Sequence, residues 1–155
     1  MDLTTDHYTD PLNNDDIGEI ELIELLFFAY RDFVSDSDRI LEAQGFGRAH
    51  HRVLYFVNRT PSLTVAELLD ILAITKQSLA RVLKQLIESG YIVQRTGSED
   101  RRQRLLFPTP AGRELILKLS APQSRRIRAA LNAVDTVSRE EIAAFLSAMR
   151  NPASR

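Results

Sequence analysis

The segment TKQSLARVLKQLIESG, residues 75–90, combines one apolar face with one polar face. Its apolar residues recur at the spacing of a single buried helix face; they are Leu79, Val82, Leu83, Leu86 and Ile87. The opposite face carries long polar side chains, namely Gln77, Arg81 and Lys84, with Gln85 at its flank. Thr75 is suited to cap the first turn, and Gly90 is suited to end the helix in a left-handed conformation. The pattern therefore predicts a helix over residues 75–89.

The polar face of this helix is chemically suited to a nucleic acid. Its cations and amides stand on long side chains, which can reach phosphates and the edges of bases. An ordinary surface helix is the alternative interpretation, because Lys and Arg on a solvated face need no partner. The segments on either side of residues 75–90 favour the first interpretation.

The preceding segment predicts a second helix that meets this one at a short turn. A capping box and a hydrophobic staple open it; their residues are Thr64 with Glu67, and Leu63 with Leu68. The helix extends from about Val65 to Leu72, and Ala73-Ile74 separate it from Thr75. Two helices joined by so short a turn are typical of a helix-turn-helix.

After Gly90 the period changes to that of short strands. Residues 91–93 and 104–107 are apolar runs rich in strand-forming residue types. Residues 95–103 lie between these runs and form a charged loop that contains a glycine and three arginines. Clustered arginines at a hairpin tip repel one another unless they meet negative charge. A helix-turn-helix followed directly by a basic hairpin predicts a winged helix.

Charge is sorted along the chain. The formal net charge is −1, yet residues 1–47 carry twelve acidic residues against Arg31 and Arg39. Residues 48–128 carry fifteen Lys and Arg residues against six acidic ones. A nearly neutral protein of this kind can present a strong local field to a polyanion.

Composition narrows the class of protein. With 155 residues, 44% of them hydrophobic and 26% charged, the chain has the size and composition of one globular domain. It contains no cysteine, which excludes disulfides and thiolate metal sites. No apolar run reaches the roughly 18 residues of a membrane span, and the N-terminus is acidic where a secretory signal is basic. We therefore expect a cytoplasmic protein with no membrane partner.

An apolar helix is predicted near the N-terminus, within residues 15–46. Asp15 or Asp16 is suited to cap a helix from about Ile17 to Val34, and residues 35–38 (Ser-Asp-Ser-Asp) are expected to interrupt it before a short restart. This helix is apolar on more than one side, so it needs cover on most of its surface. A second subunit is the expected cover, which makes residues 15–46 an N-terminal dimerisation region.

The C-terminal part predicts two further helices. Thr109 caps the first and Pro110 opens it, and Pro122 is expected to kink it. Residues 138–141 (Ser-Arg-Glu-Glu) form a second capping box. The helix that follows carries one apolar stripe, made by Ile142, Phe145, Leu146 and Met149.

These segments define an expected architecture. Residues 1–14 form a flexible N-terminal tail, residues 47–109 a winged helix-turn-helix DNA-binding region, and residues 110–150 the C-terminal dimerisation helices. The fold class is mainly α with a small β-hairpin, in which N- and C-terminal helices form a dimerisation platform beneath the DNA-binding core.

No metal, cofactor or catalytic site is expected. His50 and His51 are adjacent, so on a helix they point about 100° apart and cannot both ligate from one face. The glycines of residues 45–47 follow a helix, whereas a nucleotide-binding turn follows a strand. The chain has no Gly-x-Ser-x-Gly motif and no paired carboxylates on a pocket-forming background. We therefore expect a binding protein and not an enzyme.

Over roughly residues 17–150 the chain resembles the MarR family of winged-helix transcription regulators. Its wing resembles the family's pattern of Asp-x-Arg, an apolar strand and Thr-x-x-Gly; the residues are Asp100-Arg101-Arg102, Leu105-Leu106-Phe107 and Thr109-Pro110-Ala111-Gly112. The run of residues 46–54 (FGRAHHRVL) is similar to PetP-type regulators within the family. Two departures are the very acidic N-terminal region and the lack of the cysteine that one branch uses to sense peroxide.

This resemblance implies a homodimer that binds pseudo-palindromic double-stranded DNA. The residues expected to bind DNA are Thr75, Lys76, Gln77, Ser78, Arg81 and Lys84 in the helix, and Arg95, Asp100, Arg101, Arg102 and Arg104 in the wing of residues 94–104. The helix would enter the major groove and Arg102 the minor groove. Asp100 would orient Arg102 through a charge-assisted hydrogen bond.

The resemblance also implies a small organic effector bound between the dimer platform and the winged domain. The residues expected near it are Tyr30, Phe33, Arg48, His50 and His51. For the histidines the alternative is a hydrogen-bonded helix surface, and for the aromatic residues it is core or dimer interface. A different class of function, a winged-helix module that docks on a protein of the transcription machinery, does not explain the basic residues 48–128.

Overall fold

The computed structural model describes residues 10–12 and 17–152. The predicted cap at Asp15 or Asp16 lies outside the described residues, as does most of the predicted tail. In order along the chain the elements are α1 (Ile20–Glu42), α2 (Arg48–Arg59), β1 (Leu63–Thr64), α3 (Val65–Leu72), α4 (Lys76–Glu88), β2 (Ile92–Thr96), β3 (Arg104–Pro108), α5 (Pro110–Ala133) and α6 (Arg139–Ala148). The predicted fold class is thus confirmed: a mostly helical chain with a winged helix-turn-helix.

Helix α1 continues through residues 35–38, so the predicted interruption there is wrong. Ser37 is fully buried, and its hydroxyl donates to the backbone carbonyl of Leu119 on α5 at 2.9 Å. Asp36 pairs with Arg126, also on α5, at 3.1 Å. Ser and Asp are poor helix formers because their side chains compete for backbone hydrogen bonds. Here the side chains of Ser37 and Asp36 bond to α5, and these bonds hold residues 35–38 within α1.

The sheet has three strands in the order β1-β3-β2, and all neighbours are antiparallel. The predicted hairpin is β2 with β3, where Ile92 lies opposite Pro108 and Thr96 opposite Arg104. Strand β1 was not predicted, since two residues show no alternation. Leu63 pairs with Leu106 of β3, and this pairing ties the start of α3 to the base of the wing.

One hydrophobic core joins the helix-turn-helix to the sheet and to α5. Its fully buried members come from almost every element; they are Leu41, Val53, Leu54, Val57, Leu68, Leu86, Ile92, Leu106 and Leu119. Helix α2 lies at the centre and packs on α4 and α5. The core therefore fixes how α4 is held relative to the wing.

Side-chain caps begin helices α3 and α6. Thr64 accepts from the backbone N–H of Glu67, whose carboxylate accepts from Thr64 N–H at 2.8 Å, so the predicted capping box is confirmed. The second predicted box, Ser138 with Glu141, is also present. These caps satisfy backbone donors that a helix start leaves without partners.

The first and last helices leave a broad apolar surface uncovered. Leu22, Leu25 and Phe27 on α1 are 51%, 53% and 71% exposed. Phe145 and Met149 of α6 line an apolar groove of about 560 Å³ together with residues of α1. A monomeric protein rarely exposes so many large apolar side chains together. In the part of the chain described, no helix is long and apolar enough to cross a bilayer.

Candidate nucleic-acid interface

Helix α4 presents one face to the core and the other to solvent. Thr75 caps it as predicted, with its hydroxyl oxygen accepting from the backbone N–H of Ser78 at 3.1 Å. The core-facing residues Leu79, Val82, Leu83 and Leu86 are all buried. After the helix, Gly90 has the predicted left-handed backbone, with φ of 78°. The local sequence thus determines both ends of the helix and its orientation.

The cations of α4 face outwards. Arg81 and Lys76 are exposed, and within the described residues neither has an ion-pair or hydrogen-bond partner. Lys84 is 74% exposed and lies 3.9 Å from the carboxylate of Glu88, one turn along the helix. A surface pair of this kind is weak, so Lys84 remains available to a stronger anion. The cationic face is therefore free to meet phosphates.

The tip of the wing, residues 97–103, is closed by hydrogen bonds. Gly97 N–H donates to the carbonyl of Gln103 at 3.1 Å, and Gln103 N–H donates to the carbonyl of Asp100 at 3.1 Å. The Asp100 carboxylate accepts from the backbone N–H of Arg102 at 2.9 Å. The expected charge-assisted bond between these two residues is thus present, and it runs to the backbone of Arg102 and not to its guanidinium. Asp100 shapes the loop that carries Arg102.

The four arginines of the wing fall into two pairs. Arg95 lies over the ring of Phe107, 5.1 Å from its centroid, and Arg104 donates to the hydroxyl of Thr96 at 3.2 Å. These two side chains are held against the hairpin. Arg101 and Arg102 stand at its tip with exposed side chains, and neither guanidinium has a partner among the described residues.

A cleft of about 450 Å³ separates the wing from the start of α4. Lys76 lines it from the helix, while Arg102 and Arg104 line it from the wing. The fold therefore brings together cations that lie far apart in the sequence, and they face one concave surface. Such an arrangement suits a polyanion that touches the helix and the wing at once.

Gly97 permits the tight closure of the wing tip, and its replacement tests that closure. A Cβ atom there would lie 2.7 Å from the backbone oxygen of Asp100. We expect Gly97→Ala to open the tip and to weaken DNA binding about threefold to tenfold, with little loss of thermal stability. The Kd measured by fluorescence anisotropy on duplex DNA checks this. Gly47→Ala, where a Cβ meets nothing within 4 Å, is the matched control. An unchanged Kd for Gly97→Ala would contradict the expectation.

Some residues assigned to an effector pocket lie together where α1 meets α2. Arg48 pairs with Asp38 at 3.0 Å and lies 5.9 Å from the ring centroid of Tyr30. His51 is half-buried beside them; burial lowers its pKa, and the negative charge of Asp38 opposes that shift. Phe33 is also half-buried, and its backbone carbonyl accepts from Gln123 at 3.5 Å.

His50 departs from that group. It is 9% exposed, and both of its ring nitrogens are already bonded: Nδ1 to Gly47 N–H at 3.0 Å and Nε2 to the side-chain oxygen of Gln85 at 2.7 Å. Its ring therefore points to α4 and has no nitrogen left for a ligand. Sequence patterns did not predict the contact between His50 and Gln85. The spacing Gly47-x-x-His50 is that of a capping box, and it could have indicated the other hydrogen bond, from Gly47 N–H to His50 Nδ1.

No metal site accompanies these groups. Across residues 10–12 and 17–152 no cluster of three or more His, Asp or Glu side chains is arranged to hold a metal ion. The geometry offers cations and hydrogen-bond donors on α4 and on the wing.

The structure combines a helix-turn-helix, a three-stranded sheet and an arginine-tipped hairpin. These features define a winged helix-turn-helix protein. Comparisons with known proteins place it more closely. A sequence model of the MarR family matches residues 44–103. The HTH-type transcriptional regulator PetP of Rhodobacter capsulatus is 47% identical over 133 residues, which cover 86% of this chain and 80% of that protein.

Among the solved structures that share the fold are two from Staphylococcus aureus. Staphylococcus aureus MarR in complex with salicylate and kanamycin has a TM-score of 0.65 at 24% identity, covering 83% of this chain and 85% of that one. A complex of S. aureus MepR with DNA has a TM-score of 0.66 at 16% identity, covering 84% and 97%. The chain belongs to the MarR family and is a transcriptional regulator.

Proposed function

We propose that this regulator is a homodimer that binds pseudo-palindromic duplex DNA and acts by binding, without a catalytic step. In each protomer α4 enters the major groove and residues 94–104 follow the adjacent minor groove. The observation that carries this proposal is the set of exposed, unpaired cations on the two elements, chiefly Arg81 and Arg102. Cations without a protein partner gain most from phosphates, because they give up no existing ion pair.

Dimerisation follows from the uncovered apolar surface of α1 and α6. Burying it against a second copy removes many large apolar side chains from water. In this proposal residues 15–46 and 110–150 form the platform, residues 47–109 bind DNA, and residues 1–14 form a tail. A two-fold axis would place the two copies of α4 on half-sites about 10 base pairs apart or a little more.

The cytoplasm, where bacterial DNA is accessible, is the proposed location.

An effector site is proposed where α1 meets α2. Tyr30, Arg48 and His51 supply an aromatic face, a cation and a hydrogen-bonding ring within one region, with Phe33 beside them. These groups suit a small organic anion, since Arg48 could exchange Asp38 for the ligand's negative charge. The S. aureus MarR structure solved with salicylate concerns a distant homologue of the same fold.

Replacing Arg81 or Arg102 by alanine tests the DNA-binding surface. We expect Arg81→Ala to weaken binding to a selected duplex by about 1–3 kcal/mol if it contacts base edges. Arg102→Ala should weaken binding with less dependence on sequence and should reduce the slope of log K against log salt by about one unit. Gel shifts on matched and scrambled duplexes at several salt concentrations measure both effects.

Arg59→Ala is a suitable control, because Arg59 is an exposed cation at the end of α2, outside the proposed surface. It removes the same charge and should change the affinity less than twofold. Binding that is insensitive to salt, or losses that are equal for all three variants, would argue against the proposed interface.

A further inference from the structure

A buried histidine connects helix α2 to helix α4. His50 and Ser37 are the polar side chains that the structure buries among the described residues. The backbone N–H of Gly47 donates to His50 Nδ1 at 3.0 Å, so Nδ1 must be unprotonated. The proton of the neutral ring is then on Nε2, which donates to Gln85 Oε1 at 2.7 Å. One ring thus caps α2 and holds α4 at the same time.

Aromatic contacts keep this ring in place. Phe46 stacks on His50 with ring centroids 4.6 Å apart and planes inclined by 17°. Tyr91 meets Phe46 edge-on at 5.8 Å, and its hydroxyl donates to Gln44 Oε1 at 2.9 Å. The segment between α1 and α2, which carries Gln44 and Phe46, is therefore tied to His50 on α2 and to Tyr91 just after α4. A ring so confined has one orientation for its Nε2–H.

Gln85 itself lies on the exposed flank of α4. It is one helical turn beyond Arg81, so the two side chains share one side of the helix. The buried apolar face of α4 already sets which side of the helix points to the core, but apolar contacts are not directional. The hydrogen bond from His50 to Gln85 is directional, so it can fix the rotation of α4 more narrowly than the apolar face does.

We propose that His50 is a positioning residue for DNA recognition, which holds α4 through Gln85 at the rotation that the duplex requires. This inference rests on the proposed function, since it assigns α4 to DNA. His50 does not touch the nucleic acid; it acts through Gln85. Neither ring nitrogen of His50 is free to bind an effector or a metal ion, because both are hydrogen-bonded within the protein.

Two substitutions separate the two hydrogen bonds of His50. In His50→Gln the amide nitrogen takes the place of Nε2 and can still donate to Gln85, whereas the bond to Gly47 is lost. In His50→Asn the side-chain oxygen takes the place of Nδ1 and keeps the Gly47 bond, but the side chain no longer reaches Gln85. Positioning by His50 predicts that His50→Asn weakens DNA binding about threefold to tenfold while His50→Gln stays within about twofold of wild type.

Gln85→Met removes the oxygen that accepts the hydrogen bond from His50 Nε2. Because Gln85 is exposed, this variant is expected to fold normally and to lose affinity to the same extent as His50→Asn. The double variant should be no weaker than either single one, since both remove the same contact. Asn58→Leu on α2 is the matched control: it also removes a hydrogen-bonded amide, which donates to the Leu54 carbonyl of the same helix at 2.7 Å, and its affinity should stay within about twofold.

The measurements are anisotropy titrations on a duplex that wild-type protein selects from random-sequence DNA, together with hydrogen exchange of the α4 amides without DNA. His50→Asn and Gln85→Met should speed exchange in the last two turns of α4, and His50→Gln should not. Equal losses for His50→Asn and His50→Gln, or additive losses in the double variant, would overturn the inference. If wild type selects no duplex, the proposed function fails, and amide exchange alone then decides whether His50 holds α4.

Discussion

Gly112→Ala is expected to lower the free energy of unfolding by about 3 kcal/mol or more, and Tm by roughly 6–12 °C. Gly112 lies in the first turn of α5, where a Cβ atom would stand 2.1 Å from the backbone oxygen of Tyr91. No side-chain rotation can relieve that overlap, because both groups belong to the backbone. Helix α5 would have to move away from the turn that follows α4.

That turn has little freedom to yield. Thr109 N–H donates to the same Tyr91 oxygen at 3.1 Å, and the Thr109 hydroxyl donates to the carbonyl of Gly90 at 2.6 Å. The Thr109 oxygen also accepts from Gly112 N–H at 3.0 Å. The Thr-x-x-Gly motif therefore joins α5 to the end of α4, and a Cβ at Gly112 disrupts all three bonds together.

Circular dichroism melts at one protein concentration measure this effect, since dimerisation makes Tm depend on concentration. Gly18→Ala is the control, because a Cβ at Gly18 meets nothing within 4 Å and should change stability by less than about 0.5 kcal/mol. A Tm for Gly112→Ala within 2 °C of wild type, as for the control, would mean that α5 does not approach Tyr91 so closely.

Leu26→Glu is expected to abolish dimerisation at micromolar concentration and operator binding with it. Leu26 lines the apolar groove between α1 and α6, and a two-fold interface would bury two copies of the new carboxylate. Each unpaired buried charge costs several kcal/mol, so the dimer Kd should rise by on the order of 100-fold or more. A monomer engages one half-site and loses the gain from simultaneous binding of two.

Sedimentation velocity and gel shifts on full and half operators test this expectation. Tyr55→Glu is the control: it places the same carboxylate on another exposed large hydrophobic residue, on α2 and outside the groove, and it should remain dimeric. If Leu26→Glu stays dimeric, the proposed platform is wrong. If it becomes a monomer that still binds the full operator as tightly, the two-half-site arrangement is wrong.

Local sequence patterns predicted the helices and strands whose caps and periodicity lie within the segment itself. The caps at Thr64, Thr75, Thr109 and Ser138 lie where the sequence placed them, since a capping bond joins residues three positions apart. The outer face of α4 also followed from its period. Which cations remain free was not predictable, because Arg95 and Arg104 are held by partners across the hairpin.

Long-range contacts explain the errors. Helix α1 passes through residues 35–38 because Ser37 and Asp36 bond to α5, far along the chain. Strand β1 exists because Leu63 meets Leu106. The family resemblance places His50 near an effector, with a hydrogen-bonded histidine as the alternative; in the structure both ring nitrogens are bonded, one of them to Gln85 on another helix.

The amino-acid order was sufficient to specify a basic amphipathic helix after a short turn, an arginine-tipped hairpin and apolar helices at either end. Those features depend on periodicity and capping, which act over one or two helical turns. Packing settled which way the ring of His50 faces, that α1 is continuous, and which arginines stay unpaired. These outcomes depend on hydrogen bonds and ion pairs between residues distant in sequence, whose geometry exists once the core has formed.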